Sequence, residues 1–288
     1  MNIHELNTQH SIGDELVFAE HSSGLVFGKV ETRHCTGEFF LQGAHVTRFQ
    51  DLLFMSNEAV YAPNKALRGG IPICFPWFNS HPNDPSLPAH GWARTTLWSV
   101  LKTHRSDSQI GIDLGLSKDG FDLVYQISMG NKLSARLDVR NCSQDFLDYE
   151  VALHTYLRVG SIDQVAIIGD LEQCGYYDQL TRLDSRPTSE PIRFTQETDR
   201  IYYGQAPHIS INDTSKGRAI ELQAEGSEAT VVWNPWTEKS KRMADFGDFE
   251  YQQMCCVETA NVRRRSVRLA PGQTHSTSVT LKASKQIG

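Results

Sequence analysis

Apolar and polar residues alternate along several segments of the chain. In residues 132–141 (KLSARLDVRN), every second position from Leu133 to Val139 is apolar, and the positions between them are polar or charged. The segments 121–129 (FDLVYQISM) and 147–160 (LDYEVALHTYLRVG) show the same period of two. Because successive side chains of a strand point to opposite faces, this alternation predicts half-buried antiparallel strands.

Helical periodicity is scarce by comparison. The best candidate for a helix is the short segment Tyr177–Leu183, in which Leu180 and Leu183 lie three residues apart. Many strands with few helices predict an all-β sandwich or barrel. The composition does not change along the chain, so we expect residues 1–288 to form a single domain.

Composition and charge exclude several classes of protein. Hydrophobic residues make up 39% and charged residues 22%, which is typical of a globular chain. The net charge of −6 argues against nucleic-acid binding, which needs a broad basic surface. The start of the chain lacks the pattern of a secretory signal, and no stretch approaches the ~18 apolar residues of a membrane helix.

The six cysteines are scattered and form no C-x-x-C pair. In a chain of this length, such cysteines indicate reduced thiols and a cytoplasmic protein. No long apolar strand edge stands out, so we expect a monomer.

Common cofactor and metal motifs are absent from the sequence. It contains no H-E-x-x-H and no glycine-rich nucleotide loop. It also lacks the G-x-S-x-G elbow of many hydrolases. We therefore expect neither a cofactor nor a metal, although a mononuclear metal site assembled from distant strands stays open.

His154 is the first candidate for chemistry. The odd positions of its predicted strand are apolar, so His154 is expected to point away from the core, beside Tyr156 and Arg158. This face is either solvated or the wall of a binding cleft. In a cleft, histidine suits proton transfer because its unperturbed pKa of ~6.5 is near neutral pH.

Glu258 is the second candidate. It lies in the segment YQQMCCVETANV and shares a strand face with Met254 and Cys256. Beside such neighbours a carboxylate is partly desolvated, which raises its pKa and makes it a better base. The alternative is a glutamate in water at the end of a strand.

The Gly- and Pro-rich segment 57–92 is expected to be a long loop, and such loops are usually functional. Arg68 and Arg94 lie near the two ends of the stretch 67–94, which overlaps this segment, with His90 between them. Guanidinium groups bind phosphate or carboxylate oxygens in a bidentate way, so the pair favours an anion site over two surface salt bridges. Gly69 and Gly70 would let the backbone approach a ligand.

Four motifs occur in a specific order: LRGGIPICFPWF, LPAHGWAR, ALHTYLRV and NPW…K…MADF…EYQQMCCVE. Together they make the chain from about Val60 to Val262 resemble the hexose-6-phosphate mutarotases, also called glucose-6-phosphate 1-epimerases. These are relatives of the galactose mutarotases. The resemblance implies a large antiparallel β-sandwich with the site on its concave face.

The resemblance also implies a role for each candidate residue. His154 would be the catalytic acid and Glu258 the catalytic base. Four further residues would bind the substrate: Arg68 and Arg94 at the phosphate and sugar hydroxyls, His90 in the pocket lining, and Asp199 in ETDRIY at the sugar.

The implied activity is exchange of the α and β anomers of an aldohexose 6-phosphate, most simply glucose 6-phosphate, without a cofactor. Three alternatives remain at this point: an aldose 1-epimerase for free sugars, a non-catalytic carbohydrate-binding module, and a metal-dependent β-barrel enzyme.

Overall fold

The computed structural model describes residues 2–106 and 108–285. Over these residues the chain forms two α-helices, α1 (Ile3–His10) and α2 (Trp236–Ser240). Short 3-10 helices cover Ala93–Thr95, Ile162–Gln164, Asp170–Gln173, Thr214–Lys216, Glu250–Gln253 and Arg263–Arg265. In this part of the chain, neither helix has the length and apolar character that crossing a membrane requires.

The rest of the regular structure is strand. In chain order the strands are β1 (Leu16–Glu20), β2 (Val26–Glu31), β3 (Thr36–Phe40), β4 (His45–Phe49), β5 (Ile73–Cys74), β6 (Ser99–Ser106), β7 (Gln109–Lys118), β8 (Phe121–Met129), β9 (Leu133–Asn141), β10 (Leu147–Tyr149), β11 (Val151–Leu153), β12 (Tyr156–Arg158), β13 (Val165–Gly169), β14 (Gly175–Asp178), β15 (Leu183–Ser185), β16 (Thr198–Tyr203), β17 (His208–Asp213), β18 (Arg218–Glu225), β19 (Ala229–Asn234), β20 (Met254–Asn261), β21 (Val267–Leu269) and β22 (Thr274–Lys285).

The strands form two large sheets and two small ones. One eight-stranded sheet has the order β13-β17-β18-β22-β9-β8-β7-β6. The other has the order β15-β14-β16-β19-β20-β11-β5, with β12 also paired to β20. Strands β1 to β4 form a meander, and β10 pairs with β21. The strand pairs are antiparallel, and each order is an open path, so the prediction of an antiparallel all-β fold is confirmed and the barrel alternative is wrong.

One hydrophobic core joins the two eight-stranded sheets. Leu123 and Leu137 from one sheet lie in the same buried cluster as Leu153 and Val257 from the other. Along β8 and β9, every second residue is buried, in agreement with the predicted alternation. Two sheets that bury one face each against the other form a sandwich.

The segment 147–160 is not the single strand that its alternation predicts. It breaks into β10, which pairs with β21, and into β11 and β12, which both pair with β20. His154 lies at the break between β11 and β12. Its even side is not solvated either, because Ala152, His154 and Tyr156 are all buried. Aromatic residues that include Phe54, Trp233 and Phe246 pack with Tyr156 over this face. Sheet pairing and tertiary cover therefore override the local pattern.

The helix predicted at Tyr177–Leu183 is also wrong. Its ends belong to β14 and β15, which form a hairpin. The Asp178 side chain accepts hydrogen bonds from the backbone N–H groups of Leu180 and Thr181, as in an Asx turn. Leu180 and Leu183 are exposed, so their spacing does not mark a helix face that packs on a core.

The predicted loop 57–92 is mostly irregular, with β5 as its strand. Gly69 and Gly70 do let the backbone approach closely, but to another part of the chain. A Cβ atom at Gly70, where φ is +63°, would lie 2.2 Å from the carbonyl oxygen of Val46. A Cβ atom at Gly69 would lie 2.4 Å from that of Phe54. Both glycines therefore let the segment that follows Arg68 pack directly against the backbone near Phe54 and Val46.

The buried side chain of His45 contacts the backbone of Gly69, and its titration makes the free energy of unfolding depend on pH. Its buried Nε2–H donates to the carbonyl oxygen of Gly69 at 2.7 Å, and burial lowers its pKa to about 4. Unfolded histidine titrates near ~6.5, so the unfolded chain binds more protons between these values. Stability contributed by neutral His45 is therefore complete above about pH 6.5 and falls as the pH drops toward 4.

We expect His45→Gln, which keeps a donor near the Nε2 position, to weaken this pH dependence. The loss of unfolding free energy between pH 7 and pH 5 should be smaller in the variant by about 2 kcal/mol. Urea unfolding of both proteins at the two pH values measures the difference. An equal loss in both would show that His45 does not carry the effect.

Candidate active site

A cavity of about 220 Å³ opens beside the second eight-stranded sheet. It is far larger than the ~30 Å³ that one water occupies in the liquid. Five of the six candidate residues line it: Arg68, His90, His154, Asp199 and Glu258. The sixth, Arg94, is not among its lining residues in the described part of the chain.

Strand register brings His154 and Glu258 together. On one side of the break Leu153 pairs with Thr259, and on the other side Tyr156 pairs with Cys256. His154 therefore lies opposite Glu258, where the β11–β20 pairing ends and the β12–β20 pairing begins. His154 Nε2 is 3.3 Å from Glu258 Oε1.

Three aromatic rings hold the His154 imidazole. Tyr156 stacks on it with 4.6 Å between ring centroids and 9° between planes. Trp233 and His90 each meet it edge-on, with centroids 6.0 Å away. The His154 side chain is 10% exposed, and this packing keeps Nε2 directed at Glu258.

Burial shifts both groups toward their neutral forms. It lowers the pKa of His154 well below its ordinary value, and the charges of nearby His90 and Arg94 act in the same direction. It raises the pKa of Glu258 well above its ordinary value, and the charge of Asp199 adds to this. Burial thus favours neutral imidazole on His154, with the proton of the pair on Glu258.

Two cations line the cavity. Arg68 donates through Nε and Nη2 to Asp245 Oδ2, at 3.1 and 3.0 Å, and through Nη1 to the Tyr156 hydroxyl at 3.1 Å. A guanidinium has five N–H groups, so two of them have no partner in residues 2–106 and 108–285. The Lys239 ammonium lies 3.4 Å from Glu197 and 3.7 Å from Asp199.

The sequence model of the aldose 1-epimerase family matches residues 29–282. The chain belongs to the aldose 1-epimerase family. A Cenchrus ciliaris protein named "Putative glucose-6-phosphate 1-epimerase" is 34% identical over 275 residues, which are 87% of this chain and 82% of that protein. The resemblance inferred from the motifs is confirmed.

Solved structures share the fold. A "putative mutarotase" from Salmonella typhimurium superposes with a TM-score of 0.89 over 99% of both chains, at 24% identity. A galactose 1-epimerase from Lactobacillus acidophilus gives a TM-score of 0.71, at 13% identity, over 94% of this chain and 98% of its own. The expected galactose mutarotase-like sandwich is therefore confirmed.

In this member of the aldose 1-epimerase family, Arg94 and Arg68 occupy different positions relative to the cavity. Arg94 Nη2 donates to the carbonyl oxygen of Ala89 at 2.7 Å, and its Nε is buried. Its charge nevertheless lowers the pKa of His90 and opposes the rise in the pKa of Glu258. The positive charge of Arg94 thus affects the titratable groups of the cavity electrostatically.

Sequence reasoning missed several residues of the cavity. Asn79 donates to Gln179 Oε1 at 2.8 Å, and Gln179 donates to Asp199 Oδ1 at 2.5 Å. These two hydrogen bonds hold the Asp199 side chain in position. Gln179 was missed because it lies in the segment wrongly predicted to be a helix. Lys239 is a lysine of the motif block NPW…K…MADF, and this was the signal that could have singled it out. In the structure its ammonium lies 5.6 Å from the centroid of the Trp233 ring.

Proposed function

We propose that this protein interconverts the α and β anomers of an aldohexose 6-phosphate such as glucose 6-phosphate. The observation that carries the proposal is the 3.3 Å contact between His154 Nε2 and Glu258 Oε1 in a cavity that Arg68 and Lys239 also line. The name of the Cenchrus ciliaris relative supports the same activity.

Anomer exchange requires one proton to leave O1 and another to reach the ring oxygen O5. Both oxygens are bonded to C1, so the acid and the base must stand close together, as His154 and Glu258 do. Glu258 takes the O1 proton and His154 gives a proton to O5, which opens the ring to the aldehyde. The C1–C2 bond rotates, and closure on the other face returns both protons.

The protonation of the pair fits this cycle. Ring opening converts imidazolium and carboxylate into neutral imidazole and carboxylic acid. That neutral pair is the form that burial of His154 and Glu258 favours. The reaction starts from the form of the pair in which the same proton lies on His154 and Glu258 is a carboxylate. A bound phosphate raises the pKa of both groups and so helps to keep this proton on the pair.

The remaining lining residues suit the rest of a sugar phosphate. The phosphate would be held by the Lys239 ammonium and by the two N–H groups of Arg68 that have no partner in the described part of the chain. Asp199 and Gln179 offer hydrogen-bond partners to hydroxyl groups. Trp233 supplies an aromatic surface for the apolar face of the ring.

One observation favours a second substrate class, the free aldoses. Both cations already have acidic neighbours: Asp245 at Arg68, and Glu197 at Lys239. If these pairs neutralise the cations, Arg68 contacts hydroxyl groups and the phosphate adds nothing to binding.

Two-dimensional exchange NMR with glucose 6-phosphate and with glucose separates the two classes. We expect kcat/KM to be at least about tenfold higher for glucose 6-phosphate, since one charged hydrogen bond contributes about 1.5–3 kcal/mol. Equal or higher efficiency with glucose would make the protein an aldose 1-epimerase for free sugars. Binding of either sugar without exchange would make it a non-catalytic carbohydrate-binding protein.

We also propose that the protein works in the cytoplasm. Its six cysteines are free, and five of them are buried. Reduced thiols of this kind are typical of a reducing compartment.

A further inference from the structure

A third side chain lies against the His154–Glu258 pair. Cys256 is two residues before Glu258 on β20, and both side chains point to the same face of the strand. Single ligand atoms of His154, Cys256 and Glu258 lie within 4.8 Å of one another. All three residues are buried, and the reaction proposed above makes no use of the thiol.

Two polar atoms of this cluster lack partners. Glu258 Oε2 and His154 Nδ1 are buried and have no hydrogen-bond partner among the described residues. Buried polar groups normally have partners, because leaving one unpaired costs about 1–3 kcal/mol. A metal ion bound to Glu258 can satisfy the free oxygen. Its nitrogen ligand would be His154 Nε2, which faces Glu258 at 3.3 Å.

The ligand types and charges select the kind of ion. Imidazole nitrogen, thiolate sulfur and carboxylate oxygen are the ligands of Zn²⁺, which accepts three protein ligands and leaves a fourth position open. Thiolate and carboxylate together carry two negative charges, so the bound Zn²⁺ ion gives a neutral, buried centre. Binding releases the Cys256 and Glu258 protons to solvent.

We infer that His154, Cys256 and Glu258 form a Zn²⁺ site, and that the ion and the sugar substrate exclude each other there. Exclusion follows because the ion occupies both groups that would touch O1 and O5. Zinc then acts as an inhibitor of this protein and not as its cofactor. The metal site itself does not depend on the proposed function.

Cobalt absorption tests the site without any assay of activity. Tetrahedral Co²⁺ bound to thiolate absorbs in the near ultraviolet, and Zn²⁺ displaces it. The protein should carry Cys142→Ser, because Cys142 is the exposed cysteine. We expect a thiolate-to-cobalt band that saturates at one Co²⁺ per chain and disappears on addition of Zn²⁺.

Cys255 provides a matched control, since it is equally buried and points to the opposite face of β20. Cys256→Ala should abolish the band, whereas Cys255→Ala should keep it. Glu258→Gln, which leaves every thiol in place, should weaken Co²⁺ binding at least about tenfold. Absence of the band in the parent protein, or an unchanged band in Cys256→Ala, overturns the site.

Inhibition is measured separately, as the ratio of each protein's exchange rate with Zn²⁺ to its own rate after chelation. For the parent protein we expect Zn²⁺ to raise KM for glucose 6-phosphate. For Cys256→Ala we expect the ratio of the two rates to be close to one. An exchange rate that requires the metal would overturn the inhibitory role. A cobalt band in a protein that exchanges no sugar would leave the metal site standing and remove the proposed function instead.

Discussion

Glu258→Gln lowers the rate of anomer exchange on glucose 6-phosphate by roughly 10²–10⁴-fold. The amide has nearly the same shape as the carboxylate, but it cannot take the O1 proton. His154→Asn removes the donor to O5 and should lower the rate by a similar factor. Because the two groups act as a pair, the double variant should be little slower than either single variant. Two-dimensional exchange NMR measures all these rates.

Two controls make this result specific. Glucose 6-phosphate should still bind both single variants, because neither group holds the phosphate. Glu225→Gln changes an exposed carboxylate on β18 and should leave exchange unchanged. Wild-type rates in both His154→Asn and Glu258→Gln would show that the acid and base roles are assigned wrongly.

Arg68→Met raises KM for glucose 6-phosphate by roughly 10- to 150-fold and leaves kcat nearly unchanged. A charged hydrogen bond contributes about 1.5–3 kcal/mol, and the phosphate is bound equally before and during ring opening. The same variant should alter KM for glucose much less. Exchange rates at a series of concentrations of each sugar provide both constants.

Removing Arg68 also leaves Asp245 without its partner, which by itself would repel a phosphate. The double variant Arg68→Met, Asp245→Asn corrects for this and should recover part of the loss in KM, but not all of it. If kcat falls while KM stays constant, Arg68 instead stabilises the transition state and the proposed phosphate contact is wrong.

Much of the fold could be predicted because a strand's alternation is a local property. Strands β8 and β9 bury the residues that their period of two selects. The same rule failed at 147–160. There the pairing partner changes from β21 to β20 after β10, the strand is interrupted again at His154, and aromatic residues cover its polar side. The helix prediction at Tyr177–Leu183 failed as well, because the spacing of two leucines three residues apart does not show whether anything packs on them.

The sequence by itself determined the all-β class, and its motifs selected the residues proposed here as acid, as base and for most of the substrate binding. The tertiary structure decided how these groups meet. Register between β20 and the two short strands β11 and β12 puts Nε2 and Oε1 3.3 Å apart. The packing of other segments puts Lys239 among the residues that line the cavity, whereas Arg94 is not among them in the described part of the chain. Such placements depend on pairing and packing between distant segments, and a local pattern of residue types does not encode distances between them.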